Sequence, residues 1–255
     1  HRVMAPSTLG TFMRSFTFGH VRQLAAVLDE ALRRAWALGA GPGGRQCVVD
    51  LDSTICEVCG KAKHGAGYGY TKRLGYHPLL ATLAATGELL HVRMRKGAAN
   101  TQRGTKRFVE ELVARLRRAG ATGELTMRFD SGFWSNATIA TLERLDVGYT
   151  MGVQMIKSVL SAISAIDEES WVPIDYTPDG MAQVAECTYK GRRLILRRTR
   201  LIRAQATLWP EWRHFAFVTD RPGTPVEVDA FHRANARVEL AIKDLKEGVG
   251  LDHVP

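Results

Sequence analysis

The stretch CVVDLDST at residues 47–54 decides the fold. Its apolar residues predict a buried strand. Because alternate strand residues face the same side, Asp50 and Asp52 share one face, and Val49 and Leu51 pack on the other. Buried carboxylates are costly unless they are paired, hydrogen-bonded or metal-bound, so this strand must have a compensating partner.

Composition indicates a globular protein with a polyanionic partner. The chain has 255 residues, 45% of them hydrophobic and 24% charged, which suits one large domain or a core with a sizeable insertion. The net charge of +9 favours nucleic acid as the partner. A basic protein without such a partner stays open as the alternative.

Cysteine usage and hydropathy indicate a cytoplasmic protein. The four cysteines are Cys47, Cys56, Cys59 and Cys187. They contain one C-x-x-C pair without a matching second pair, which favours reduced thiols over a structural zinc site. No apolar run reaches the roughly 18 residues of a membrane span, and no signal peptide is visible. The sequence stops at Pro255 just past a predicted helix, so we expect it to be part of a longer protein.

The order of predicted elements is typical of an α/β fold with an RNase H-like mixed sheet flanked by helices. We predict a helical lead over residues 1–45 with an amphipathic helix at 21–39, a strand at 46–55, a two-stranded hairpin within 75–97 turning at Thr86-Gly87, a helix at 105–120, a strand at 125–130, a helix at 136–145 and a strand at 147–153. Three meandering strands followed by helix, strand, helix and strand make up that core.

Composition changes in the second half of the chain. Residues 46–160 form the first part of the predicted core, and residues 161–225 are predicted as a β-rich insertion with a sheet of its own. Residues 226–255 hold the final core helix, which we predict to run unbroken from Val228 to Glu247.

Three carboxylates are predicted to meet at one edge of the sheet. Asp130 ends a second strand, and the carboxyl ends of parallel strands share an edge. Glu239 shares a face of the final helix with Lys243 and Lys246. Together with Asp52, these acids could hold two Mg²⁺ ions for phosphodiester chemistry. The alternatives are that Asp130 is a helix cap or turn residue and that Glu239 lies on a solvated face.

The motifs resemble those of a known family. The segments DST at 52–54, RFDSGFWS at 128–135 and ARVELAIKDLKEGVGLD at 236–252 resemble the three catalytic segments of bacterial insertion-sequence transposases of the DDE class. The segments GYGYTKRLGYHPLLA at 67–81 and MRKGAANT at 94–101 resemble its connecting segments. The resemblance runs from about residue 5 to the end of the chain.

The resemblance implies a function and a set of site residues. It implies a transposase catalytic domain that cleaves DNA at transposon ends, often through a hairpin, and transfers strands into target DNA within a homodimeric synaptic complex. It assigns Asp52, Asp130 and Glu239 as catalytic and metal-ligating residues for two Mg²⁺ ions, with Mn²⁺ able to substitute. Asp50 becomes a secondary acid, either a hydrogen-bond acceptor or an outer ligand. The implied location is the bacterial cytoplasm, at the nucleoid.

The family signature on the last helix is Tyr, two residues, Arg, three residues, Glu, six residues and Lys. Glu239 and Lys246 fit it, whereas His232 and Asn235 stand at the Tyr and Arg positions. The candidate DNA-binding residues are Lys246, Lys243, Arg237, Arg233, His232 and Trp212. Trp209 is a second candidate beside Trp212 for stacking on a flipped base, and a packing role for either tryptophan stays open.

Two rival functions remain open at this stage. The pattern Asp-x-Asp-x-Thr also fits haloacid dehalogenase-type phosphatases, in which Asp50 would be the nucleophile and Asp52 the general acid. That fold needs a strictly parallel sheet, which the predicted hairpin at 75–97 disfavours. The other rival is a catalytically inactive, DNA-binding relic of a transposase, because of the departures at His232 and Asn235.

Overall fold

A computed structural model describes residues 5–60, 63–176, 180–201, 212–248 and 250–251. The helices are α1 Pro6–Arg14, α2 Phe18–Ala35, α3 Thr105–Ala119, α4 Asn136–Arg144, α5 Lys157–Ser164, α6 Pro225–Arg233 and α7 Arg237–Glu247. The strands are β1 Cys47–Ser53, β2 Cys56–Glu57, β3 Gly67–Tyr68, β4 Leu74–Tyr76, β5 Leu79–Leu83, β6 Leu89–Arg93, β7 Leu125–Phe129, β8 Gly148–Gly152, β9 Val172–Ile174, β10 Gly180–Tyr189, β11 Arg192–Leu201 and β12 Arg213–Thr219. None of the helices in these ranges is long and apolar enough to span a membrane.

The chain divides into two compact units. The first unit combines His1–Arg45 with Ala114–Gly123, and the second combines Gln46–Val113 with Glu124–Pro255. In the first unit, α2 confirms the predicted amphipathic helix. Helix α1 lies within the predicted helical lead but was not located as a separate helix, although a proline at its start and apolar residues at helical spacing favour it.

The second unit is built on a sheet of nine strands in the order β6-β5-β1-β7-β8-β12-β11-β10-β9. Strand β1 pairs antiparallel with β5 and parallel with β7, which itself pairs parallel with β8. The predicted mixed sheet is therefore confirmed. The predicted hairpin turn is also present, with Gly87 at a φ of 75°, a conformation that suits glycine.

The predicted insertion does not form a sheet of its own. Strand β12 pairs antiparallel with β8, and β11, β10 and β9 continue outward from it. The prediction of a separate sheet was wrong because β8 leaves one side of its backbone free for pairing. A small sheet of β2, β4 and β3 lies apart.

The predicted final helix is broken in two. Helices α6 and α7 are separated by a tighter turn at Ala234–Ala236. The Nη1 of Arg128 donates to the carbonyl oxygen of Phe231 at 2.7 Å. In an unbroken helix that oxygen would accept from residue 235, so a side chain inserted into the hydrogen-bond ladder accounts for the break.

Arg128 also compensates the buried acid of β1. Its Nε and Nη2 donate to the two carboxylate oxygens of Asp50 at 2.5 and 2.8 Å. Asp50 is 1% exposed, and the register of β1 and β7 places it beside Arg128. Two parallel hydrogen bonds in one ion pair satisfy both oxygens. Val49 and Leu51 are buried too, as expected for a central strand covered on both faces.

Replacing Arg128 tests this pairing. We expect Arg128→Met to lower the free energy of unfolding by about 3–5 kcal/mol, because it leaves Asp50 buried and unpaired. Adding Asp50→Leu should restore most of the loss. Urea denaturation at pH 7 measures both.

The matched control is Arg144→Met, since Arg144 pairs with Glu110 at the surface. Arg144→Met should lower the free energy of unfolding by less than about 1 kcal/mol. A loss for Arg128→Met no larger than that of Arg144→Met would show that the pair does not stabilise the fold.

Candidate active site at the carboxyl edge of the sheet

Two of the predicted acids lie at the carboxyl ends of neighbouring parallel strands. The last paired residues of β1 and β7 are Leu51 and Phe129. Asp52 and Asp130 are the next residues after these two, so both lie at the same carboxyl edge of the sheet, where sites form in sheets of this kind. Asp130 also caps the short turn Ser131–Phe133 by accepting from the N–H of Gly132 at 2.9 Å.

Helix α7 carries the third acid to this edge. Val238 and Ile242 form a buried cluster with Leu80 of β5, which pairs with Asp52 in the sheet. Glu239 is exposed on the same helix. Farther along, the Nζ of Lys246 donates to the carbonyl oxygen of Ile55 at 3.0 Å, which links α7 to the segment after β1.

The charges of the other acids act on Asp52. The pKa of Asp52 is raised to about 7, mainly by burial and in part by the negative charges of Asp130, Glu239 and Asp50, against a hydrogen bond from the N–H of Ser53. Burial likewise raises the pKa of Asp130. Carboxyl groups that repel one another in a partly buried place favour protonation or a bound cation.

The donor set fits a hard divalent cation, because Mg²⁺ prefers carboxylate oxygens. Within the described ranges, no three side chains of the His, Cys, Asp or Glu type lie close enough together to hold one ion as they stand. The chemistry of the donors therefore supports a metal site, and its geometry stays a prediction.

Asp50 lies two residues before Asp52 on β1 and is bound by Arg128. Both of its oxygens accept from Arg128, so it is the acceptor of a structural ion pair. A nucleophile needs an accessible oxygen, and strand β5 beside β1 is antiparallel. The phosphatase alternative therefore does not fit, because Asp50 is bound by Arg128 and the sheet is not strictly parallel.

Comparison with known proteins identifies the family. A family model described as Transposase DDE domain group 1 matches residues 3–255. The chain belongs to this transposase family. No curated protein matches it in sequence.

The fold is that of a transposase of known structure. The chain is similar to the piggyBac transposase in the cryo-EM structure of its synaptic complex with hairpin DNA, with a TM-score of 0.56 and 14% identity. The similarity covers 96% of this chain and 48% of the piggyBac chain, so the chain spans about half the length of that relative. The prediction of an RNase H-like transposase fold is confirmed.

His232, at the Tyr position of the signature, is half-buried and packs against the β-sheet of the transposase domain. Its ring stacks on Phe217 at a centroid distance of 4.0 Å, and its Nδ1 forms a 2.7 Å hydrogen bond with Thr150. Burial lowers the pKa of His232 to about 3, helped by the charges of Arg197 and Arg128. The imidazole is therefore neutral, and a contact between His232 and DNA stays a prediction.

The basic DNA-binding candidates differ in their surroundings. Arg233 donates to Asp229 at 2.8 Å and stacks over the ring of Tyr176. Lys243 lies 3.9 Å from Glu247 on the surface. Arg237 is exposed, and its charge lowers the pKa of Asp50 against the larger effect of burial. Their contacts with DNA stay predictions.

The tryptophan candidates are only partly described. Trp212 lies against the guanidinium groups of Arg198 and Arg200, at 4.4 and 4.9 Å from its ring centroid. Stacking of Trp212 on a base would compete with these contacts. Trp209 lies outside the described residues.

Two residues of the site were missed by sequence reasoning. His77 is fully buried and hydrogen-bonds to Ser53, the residue after Asp52. Arg95 binds the carbonyl oxygen of His77. Both belong to segments that resemble the family, GYHPLLA and MRKGAANT, and this resemblance was the signal available in the sequence.

The low pKa of His232 predicts a pH dependence of stability. The pKa of His232 is about 3 in the fold and about 6.5 in an unfolded chain. Below pH 6.5 the unfolded chain therefore binds a proton that the fold does not, and stability falls as the pH falls toward 3. Between pH 7 and pH 4 the parent protein should lose up to about 3 kcal/mol of its free energy of unfolding through His232, and His232→Gln should remove this loss.

Urea unfolding at both pH values measures the difference. The matched control is His64→Gln, at an exposed histidine, which should leave the pH dependence unchanged. The assignment fails if His232→Gln and the parent protein lose equal stability over this interval.

Proposed function

We propose that this chain is the catalytic domain of a DDE transposase that cleaves DNA at transposon ends and joins the freed strands to target DNA in a metal-dependent reaction. Asp52, Asp130 and Glu239 would bind two Mg²⁺ ions, and Mn²⁺ would substitute. The observation that supports the proposal is the position of Asp52 and Asp130 at the carboxyl ends of two paired parallel strands. The pKa of Asp52 is raised to about 7, mainly by burial and in part by the charges of Asp130, Glu239 and Asp50.

The protein contributes position and charge to this reaction. Strands β1 and β7 fix the backbone of Asp52 and Asp130 side by side, and α7 is anchored by Val238 and Ile242 so that Glu239 can approach them. Bound divalent ions would supply activation of the attacking water or 3′-hydroxyl and stabilisation of the leaving oxygen.

Basic residues near the acids would bind the DNA backbone. Arg237 and Lys243 are exposed on α7, the helix that carries Glu239. Lys246 lies about one helical turn beyond Lys243 on α7 and would contact a phosphate near the scissile bond. A net charge of +9 supports this affinity for a polyanion.

The assembly and intermediates would follow those of related transposases. We propose a homodimer that holds two transposon ends, in the nucleoid of a bacterial cell that carries an insertion sequence. The structural neighbour is a synaptic complex with hairpin DNA, which supports a hairpin intermediate here. The catalytically inactive relic remains the rival, because His232 and Asn235 replace the Tyr and Arg of the signature.

Conservative replacement of the acids tests the proposal. Asp52→Asn, Asp130→Asn and Glu239→Gln should each lower Mg²⁺- or Mn²⁺-dependent cleavage of transposon-end DNA by at least about a thousandfold, because each removes a negative ligand with little change in volume. Gel analysis of end-labelled DNA with the full-length protein measures the rate, and circular dichroism checks the fold.

The matched control is Asp244→Asn, an exposed acid on the same helix, which should cleave like the parent protein. Near-parental cleavage by any of the three variants would remove that residue from the site. A parent protein that binds DNA and never cleaves it would favour the relic.

A further inference from the structure

A line of hydrogen bonds supports the first acid. The Oδ1 of Asp52 accepts from the N–H of Ser53 at 2.6 Å, and the Oγ of Ser53 lies 2.9 Å from the Nε2 of His77. The Nδ1 of His77 lies 2.7 Å from the carbonyl oxygen of Ala99. Because a carbonyl oxygen only accepts, Nδ1 carries the proton, and Nε2 of the neutral ring accepts from the Ser53 hydroxyl.

Arg95 holds the loop that provides this carbonyl group. Its Nε donates to the carbonyl oxygen of His77 at 2.7 Å. Its Nη1 lies within 3.0 Å of three carbonyl oxygens, those of Asn100, Thr101 and Arg103. One guanidinium group therefore fixes both the strand end that carries His77 and residues 96–104, which we call the clamp loop.

The clamp loop also contacts the turn that holds the second acid. A Cβ at Gly132 would meet Thr101 Oγ1 and Asp130 Oδ1, each at 3.2 Å, so these groups pack closely around it. The side chain of Gln102 donates to the carbonyl oxygen of Trp134 at 2.5 Å. The same loop therefore touches the supports of both strand acids, one through His77 and Ser53 and the other through the turn after Asp130.

We propose that His77, Ser53 and Arg95 are positioning residues that set the separation of Asp52 and Asp130 through the clamp loop, and thereby the affinity of the site for divalent metal. The inference rests on the proposed function. None of the three residues is needed to contact the metal or the DNA.

The physical reason is the repulsion between the acids. The charge of Asp130 opposes ionisation of Asp52 and raises its pKa, while metal ligands must be held within about 0.5 Å of the productive geometry. Residues that orient ligands typically contribute 10–100-fold to metal affinity or activity. The line of hydrogen bonds depends most on the Ser53 hydroxyl group. Among the described residues, its bond to His77 is the only hydrogen bond between His77 and the strand of Asp52.

The test compares Ser53→Ala with Ser53→Thr in the full-length protein. Ser53→Ala removes the hydroxyl group, and Ser53→Thr keeps it on a residue that suits a strand. Calorimetric titration with Mn²⁺ in the absence of DNA measures metal affinity, and DNA cleavage is measured over a range of Mn²⁺ concentrations.

We expect Ser53→Ala to weaken Mn²⁺ binding about tenfold and to raise the Mn²⁺ concentration for half-maximal cleavage by the same factor. The KM for DNA should not change. Ser53→Thr should stay within about threefold of the parent protein. Arg95→Lys, which keeps the charge and loses the planar fork, should shift Mn²⁺ binding in the same direction as Ser53→Ala.

The outcomes separate this inference from the proposed function. If the parent protein neither binds Mn²⁺ nor cleaves DNA, the proposed function fails. If it does both and Ser53→Ala binds Mn²⁺ equally well, or Ser53→Thr is as impaired as Ser53→Ala, only the positioning role is overturned.

Discussion

The ion pair between Asp50 and Arg128 is the constraint on which the carboxyl edge of the sheet depends. It joins β1 to β7 through both carboxylate oxygens, and the remaining nitrogen of Arg128 binds the carbonyl oxygen of Phe231 at the end of α6. One buried guanidinium group thus fixes the two strands that present the first two acids and the point at which the chain turns into α7. Asp50 is therefore a structural acid, and the catalytic role of the neighbouring Asp52 stays a prediction.

The core of the fold could be predicted because its signals are local. Alternation in CVVDLDST predicts the buried strand and places Asp50 and Asp52 on one face, and the turn at Thr86-Gly87 predicts the hairpin. The carboxyl-edge placement of Asp130 follows from the order of parallel strands. Family motifs add Glu239, which charge and spacing alone leave on a solvated helix face.

The remaining features depend on contacts between distant residues. Apolar periodicity continues through residues 226–248. The break after Arg233 is accounted for by the bond from Arg128 to the carbonyl oxygen of Phe231, which lies 103 residues away in sequence. The partner of Asp50 is 78 residues away, and His77 is 24 residues from Ser53. The strands of the predicted insertion join the core sheet through β8. This pairing could not be predicted, because strand patterns give no indication of which edge a strand pairs with.

The central claim is that Asp52, Asp130 and Glu239 form one divalent-metal site while Asp50 is held by Arg128. Anomalous diffraction from crystals of the domain soaked in Mn²⁺ tests it most directly. The account predicts anomalous peaks in contact with carboxylate oxygens of Asp52 and Asp130, with Glu239 on the other side, and an intact pair of Asp50 and Arg128. A peak bound to Asp50, or saturating Mn²⁺ without a peak at Asp52, would contradict it.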